Sequence, residues 1–279
     1  MTETKEVTIK LDDSFTGSVC DYSVGFLKFR KGEKEEVAEP AGTGTFVKLG
    51  GVYGVLTAAH VLKELDPQSS VGLVRFPSVE PPIQNRRLNL QHTERIVNWN
   101  GKDCDAPDIA FLKIPEIDGR ALEAAGAVFY NLALPREFRP SKADHHMSVC
   151  HAVVGVVGEW TERVPAQFMK GLKVMVGGLF GAATDLRDFK EGDTNLVEAK
   201  ISHGPRIPKS HGGVSGGALW ELHVELDASL KPVMPVNKRL RGVAFRQSAD
   251  RTKVTSNDTA SIKSMIEQVK RKWPEEAQR

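Results

Sequence analysis

The chain has 279 residues, 40% of them hydrophobic and 27% charged, enough to bury about three quarters of the surface its unfolded form would expose in one large domain or two small ones. Its 38 basic and 36 acidic side chains leave a formal net charge of +2, which excludes a chain-wide attraction to nucleic acid or to an anionic membrane. No run reaches the roughly 18 uninterrupted apolar residues of a membrane helix, and the start MTETKEVTIK is too polar to read as a secretory leader, so a soluble protein is expected.

In chain order, short β-rich runs punctuated by Gly, Pro, Asp and Asn recur: EVTIKL, SVGFLKF, GTFVKL, VYGVLTA, VGLVRF and IAFLKI, then SVCHAVVGVVGE, LKVMVGGL, NLVEAKI, GALWELHVEL and RLRGVAF. This spacing predicts strands of a β-sandwich or β-barrel, not alternating βαβ units. Helical pattern is confined to a short stretch after Thr57, the region Gly119 to Ala127, and a segment near the C-terminus. In that last segment Asn257 or Asp258 is a candidate cap, and Ile262, Met265, Ile266 and Val269 recur at three- and four-residue steps on one face. Between Pro135 and His146 the sequence PREFRPSKADHH is polar, proline-bearing and without apolar period, which predicts a connection between two packed units. The expected division is 1–135, a linker 136–146, 147–256, and a C-terminal helix and tail 257–279.

Three segments carry the chemistry. In GTGTFVKLGGVYGVLTAAHVL, two strand runs meet at Gly50-Gly51 and lead to His60 on the first turn of a short helix. In DAPDIAFLKIP, Asp108 precedes a buried-looking strand. In HGGVSGGALW, Ser215 stands among Gly212, Gly213, Gly216 and Gly217 before another strand. Glycines let a turn aim successive N–H groups inward, so the amides of Gly213 and Ser215 are candidates for an oxyanion hole. A serine hydroxyl needs a base such as His60 to become nucleophilic, and that base needs a buried carboxylate such as Asp108. Asp103 and Asp105 are rival carboxylates, but the strand does not follow either of them directly.

These segments resemble the motifs of the trypsin/chymotrypsin-like serine peptidases. LTAAH is similar to T-A-A-H, DIAFLKI to D-I-A-L-L-K-L and GGVSGG to G-D-S-G-G, in the same order along the chain. The resemblance, to disulfide-free domains of bacterial type, implies an all-β fold of two six-stranded antiparallel β-barrels with a C-terminal α-helix. It also implies a catalytic triad of His60, Asp108 and Ser215, an oxyanion hole at Gly213 and Ser215, and no cofactor. The substrate would be a protein or peptide lying along Val243, Ala244, Phe245, Arg246 and Gln247 as an added strand. Lys209 and His211 fall where the family keeps its primary specificity pocket, which motivates cleavage after Glu or Asp. Val214 replaces the aspartate that receives the new N-terminus in secreted relatives, so a protein activator that orders the oxyanion loop is a further expectation.

Cys20, Cys104 and Cys150 form an odd, widely spaced set, which speaks against a disulfide scaffold and for a reducing compartment, the cytoplasm. Asp144, His145, His146 and His151 invite a metal reading, but adjacent histidines on a strand face opposite ways, and a polar linker with no metal is expected. Trp99, Trp160, Trp220 and Trp273 lack basic-aromatic interleaving, so no nucleic-acid partner is expected. The rival function is a catalytically silent two-barrel module that binds a peptide without cutting it.

Overall fold

The structure, a computed structural model, describes residues 19–31, 36–75, 84–99, 101, 106–133, 138, 140–143, 145–158, 162–165, 173–176, 179–183, 185–201 and 212–279. The EVTIKL run, Lys209, His211, Asp103, Asp105, Cys104, Asp144 and Trp160 lie outside the described residues.

The first sheet contains β1 (Ser23–Lys31), β2 (Glu36–Leu49), β3 (Val52–Thr57), β4 (Ser70–Arg75), β5 (Gln84–Asn89), β6 (Glu94–Trp99) and β7 (Asp108–Ile114) in the order β5-β4-β1-β2-β3-β7-β6. All these neighbours pair antiparallel, and a short β8 (Tyr130–Asn131) adds to β2 in parallel. Helix α1 (Ala59–Lys63) follows β3, and α2 (Glu116–Ala124) follows β7.

The second sheet contains β9 (His146–Val156), β12 (Leu179–Ala183), β13 (Asp185–Glu191), β14 (Thr194–Lys200), β15 (Ala218–Leu226), β16 (Pro232–Gln247) and β17 (Lys253–Asn257), ordered β12-β9-β15-β16-β17-β14-β13. A separate two-stranded piece pairs β10 (Glu162–Pro165) with β11 (Lys173–Val176). Helix α3 (Thr259–Lys272) and a short α4 (Pro274–Ala277) end the chain. The fold is therefore mostly strand in two antiparallel sheets with a C-terminal helix, as the strand spacing predicts.

Burial explains which runs were legible. The central strands β3 and β7 are buried on both faces and read as continuous apolar runs. The sheet-edge strands QNRRLN (β5), ERIVNW (β6) and DLRDFKE (β13) carry no such run and escape sequence analysis. One apolar cluster centres on Phe26, Phe46 and Val55 of the first sheet and takes in Leu196 and Phe245 of the second, while another, around Val153, Val197 and Leu219, lies in the second sheet. A third cluster joins them: Leu56, Ile109 and Phe111 meet Val154, Ala218 and Trp220, and Ile262, Met265 and Val269 of α3 close it. The α3 cap is Asp258, whose Oδ1 accepts from the N–H groups of Ala260 (2.8 Å) and Ser261 (3.1 Å). Asn257, the other candidate, is a buried strand residue with a different task.

The sheets are stitched at Thr43 on β2, which is fully buried. Its Oγ1 donates to Gly213 O (2.6 Å) and accepts from Val156 N–H (2.8 Å), while its own N–H donates to Ser215 O (2.8 Å). A Thr43→Val change keeps the shape but strands a carbonyl and an N–H of the second sheet, which costs about 2–4 kcal/mol. Thermal melts should show a drop of roughly 4–15 °C for Thr43→Val and a much smaller one for Thr43→Ser. Equal melting of the two variants would contradict a role for the hydroxyl.

Candidate active site

His60 sits on the first turn of α1, where β3 ends at the seam between the sheets. Its backbone N–H donates to Asp108 Oδ1 (3.0 Å), and its Nδ1 lies 2.6 Å from Asp108 Oδ2. The Asp108 side chain is 0% exposed and the His60 side chain 23% exposed, so a buried carboxylate lies under a half-open imidazole. That contact holds the proton on Nδ1 and leaves Nε2 as the acceptor. Asp108 is gripped in turn by Asn257 from the second sheet. Its N–H donates to Asn257 Oδ1 (3.2 Å), and Asn257 Nδ2 donates to Asp108 O (2.7 Å).

Ser215 stands in a turn closed by Gly217 N–H to Val214 O (2.8 Å), immediately before β15. Gly216 has φ +86°, and a Cβ there would lie 2.0 Å from both Thr43 O and Thr57 Oγ1. Only glycine fits, because the turn is pressed against the end of the strand that delivers His60. Gly42 (φ +143°) fills the gap from the other side: a Cβ there would lie 2.6 Å from Val61, the residue after His60, and 3.1 Å from Ser215 O. The Ser215 turn and the His60 helix are thus one glycine apart.

Among the described residues, none accepts a hydrogen bond from the N–H of Gly213 or Ser215. The neighbouring amides are engaged: Gly216 N–H donates to Ala244 O (2.6 Å) and Gly217 N–H closes the turn. Two unspent donors beside a serine are what a developing oxyanion requires. Ser215 Oγ makes a long contact of 3.5 Å to Phe245 O.

The expected substrate strand divides. Ala244, Phe245, Arg246 and Gln247 line a small cavity of about 20 Å³ with Val214, Ser215 and Val254. Val243 does not join them: it is fully buried in the shared core and paired on both sides, with Ala218 and Asn257. Pairing of β16 with β15 stops at this residue because β15 starts at Ala218, so Ala244 to Gln247 run on beside the Ser215 turn.

Sequence reading missed three supporting residues. Asn257 and Thr43 are ordinary polar residues in strands and carry no local motif. The third is Glu191 at the end of β13, whose Oε2 accepts from Arg246 Nη2 (2.6 Å) and whose Oε1 accepts from Ala106 N–H (3.4 Å), tying the cleft wall to the loop before Asp108. The Arg246 hydrogen bond, first among the causes, holds the Glu191 carboxyl below its usual value. The folded value being depressed, this tie contributes above the ordinary carboxylate range and is lost as the pH falls through the lowered value.

His145, in the linker, serves another bond. His145 Nδ1 lies 2.6 Å from Glu225 Oε1, and burial, its largest influence, pulls His151 below the usual imidazole value. Among the described residues no three His, Cys, Asp or Glu side chains gather as a metal site. No helix among them is long and apolar enough to cross a membrane.

No family model and no curated protein matches the chain. Among solved structures, the serine endoprotease from Yersinia pestis is similar over 95% of this chain and 68% of its own, with 13% identity and a TM-score of 0.43. The Rv3671c protease from M. tuberculosis, in its active form, is similar over 96% and 94% respectively, with 13% identity and a TM-score of 0.41. At such distance the chemistry rests on this chain's own geometry.

Cysteine is the other nucleophile the chain offers, and its described members are ill placed for the role. Burial, then the charge of Asp21, pushes the Cys20 thiol up to about 12, and burial pushes Cys150 up to about 11, so neither is a thiolate near neutral pH. Peptide mapping after iodoacetamide treatment at pH 8 should find both unmodified in the folded protein and both modified after denaturation. Rapid native modification of either would contradict this.

Proposed function

We propose that the protein is a serine endopeptidase that cleaves peptide bonds by acyl transfer, with His60, Asp108 and Ser215 as the triad. The observation that carries the reading is a half-open imidazole, braced by a buried carboxylate, beside a serine turn with two unspent amide donors. His60 Nε2 takes the Ser215 proton as Oγ bonds to the substrate carbonyl carbon. The Gly213 and Ser215 amides stabilise the oxygen as it gains charge. Collapse breaks the C–N bond, His60 returns the proton to the leaving amine, and water, deprotonated by His60, releases the acyl group.

The substrate strand lies along Phe245 to Gln247, past Ala244, whose N–H and O are spent on the Ser215 turn, and an acidic residue before the cut bond suits the cation of Lys209, with His211 nearby. The units 1–135 and 147–256, joined by 136–146 and followed by 257–279, supply the two walls of the cleft. A cytoplasmic enzyme of bacterial type needs restraint, through narrow specificity or an activating partner. Val214, buried and without a carboxylate, offers no partner to a new N-terminal ammonium, so restraint would come by one of these routes and not by N-terminal clipping.

A fluorogenic peptide library tests the reading. Ser215→Ala should abolish cleavage, and Asp108→Asn should lower kcat about 10⁴-fold with little change in KM, because the imidazole loses its tautomer. Cleavage that survives Ser215→Ala would overturn the assignment.

A further inference from the structure

Arg95 on β6 reaches across to the helix that carries His60. Its Nη1 donates to Leu62 O (2.9 Å), in the last turn of α1, and to Leu65 O (3.1 Å), just past it, where a cation meets the negative end of the helix. The other terminal nitrogen, Nη2, is buried without a hydrogen-bond partner among the described residues. An unmet donor on a half-buried cation is costly and calls for an acceptor.

Arg95 also lines a cavity of about 460 Å³ with Ile96 of β6 and Gln268, Arg271 and Lys272 of α3. Three cations line it and no acid does. Lys272 donates to Arg95 O (3.1 Å) and lies 3.7 Å from Glu94 Oε2. Glu94 is itself held by Lys113 (3.3 Å) and by the indole N–H of Trp273 (3.0 Å). Arg271 is exposed and makes no ion pair among the described residues. Basic residues in the last turn of α3 are explained by that helix's own negative end. Their convergence with an under-bonded arginine from a different sheet strand is not.

We propose that this cavity binds a phosphorylated small molecule and that its occupation alters the reactivity of His60. The volume suits a small ligand. Two planar guanidinium groups and an ammonium match the oxygens and charge of a phosphate or diphosphate, while Gln268 and Ile96 offer an amide and an apolar contact to the rest of the molecule. Arg95 is the link, since an anion in the cavity competes for the charge of the same guanidinium whose Nη1 holds Leu62 O and Leu65 O. The second half of the proposal rests on the peptidase reading; the first does not.

The test uses the full chain and inorganic pyrophosphate as probe, in low salt. Calorimetry should show saturable binding with Kd below about 1 mM. Arg271→Ala, a surface change, should weaken it by about tenfold or more, and Lys263→Ala, two turns away on α3, should leave it unchanged. Saturating pyrophosphate should change the peptide cleavage rate of the unsubstituted protein by about fivefold or more, and that response should vanish in Arg271→Ala. Absent binding, or equal binding by Arg271→Ala, overturns the site. Binding with an unchanged cleavage rate overturns the coupling. An oligothymidylate that binds where pyrophosphate does not marks a nucleic-acid face and also overturns the proposal. A chain that cleaves no peptide at all refutes the peptidase reading while the calorimetric result still decides the site.

Discussion

The Asp108 carboxylate has no exposed surface, and a buried charge is tolerated only where every oxygen finds a partner. One oxygen receives the backbone N–H of His60 and the other faces its Nδ1, so one side chain fixes both the start of α1 and the tilt of the imidazole. The main chain of Asp108 is held as well, by the two-way bracket from Asn257. Asn257 belongs to the second sheet and Asp108 to the first, so this bracket ties the backbone under the His60–Asp108 pair to the docking of the sheets.

Docking is enforced at the opposite side of the cleft by Thr43 and two glycines. Thr43 binds the carbonyls of Gly213 and Ser215 and the amide of Val156, while Gly42 and Gly216 let three backbone segments approach more closely than any side chain would allow. The turn that presents Ser215 is therefore positioned by main-chain contacts from the first sheet. This suits a nucleophile, whose hydroxyl must stay unencumbered while its backbone is rigid.

Much of this was legible because the relevant residues sit in strong local signals. His60 ends an apolar strand, Asp108 begins one and Ser215 interrupts a run of glycines. The strands β3 and β7 announced themselves because burial on both faces demands continuous apolar sequence. What stayed hidden has no local signature. The polar edge strands β5, β6 and β13 hold their place by pairing, not by composition. Thr43, Asn257 and Glu191 bind partners at the site that lie more than fifty residues away. The family resemblance puts Val243 in the substrate strand, yet the strand's pairing on both sides at that residue buries it. Asn257 looked as good a helix cap as Asp258, and only the position of β17 decides between them.

The account stands on a hydroxyl made nucleophilic by an imidazole, and a fluorophosphonate probe reads that property without knowledge of the substrate. Intact-mass and peptide analysis of the treated protein should find one adduct, on Ser215, and His60→Ala should remain folded but lose it. An unmodified Ser215 in the folded protein, or equal modification after His60→Ala, would contradict the claim that this pair activates this serine.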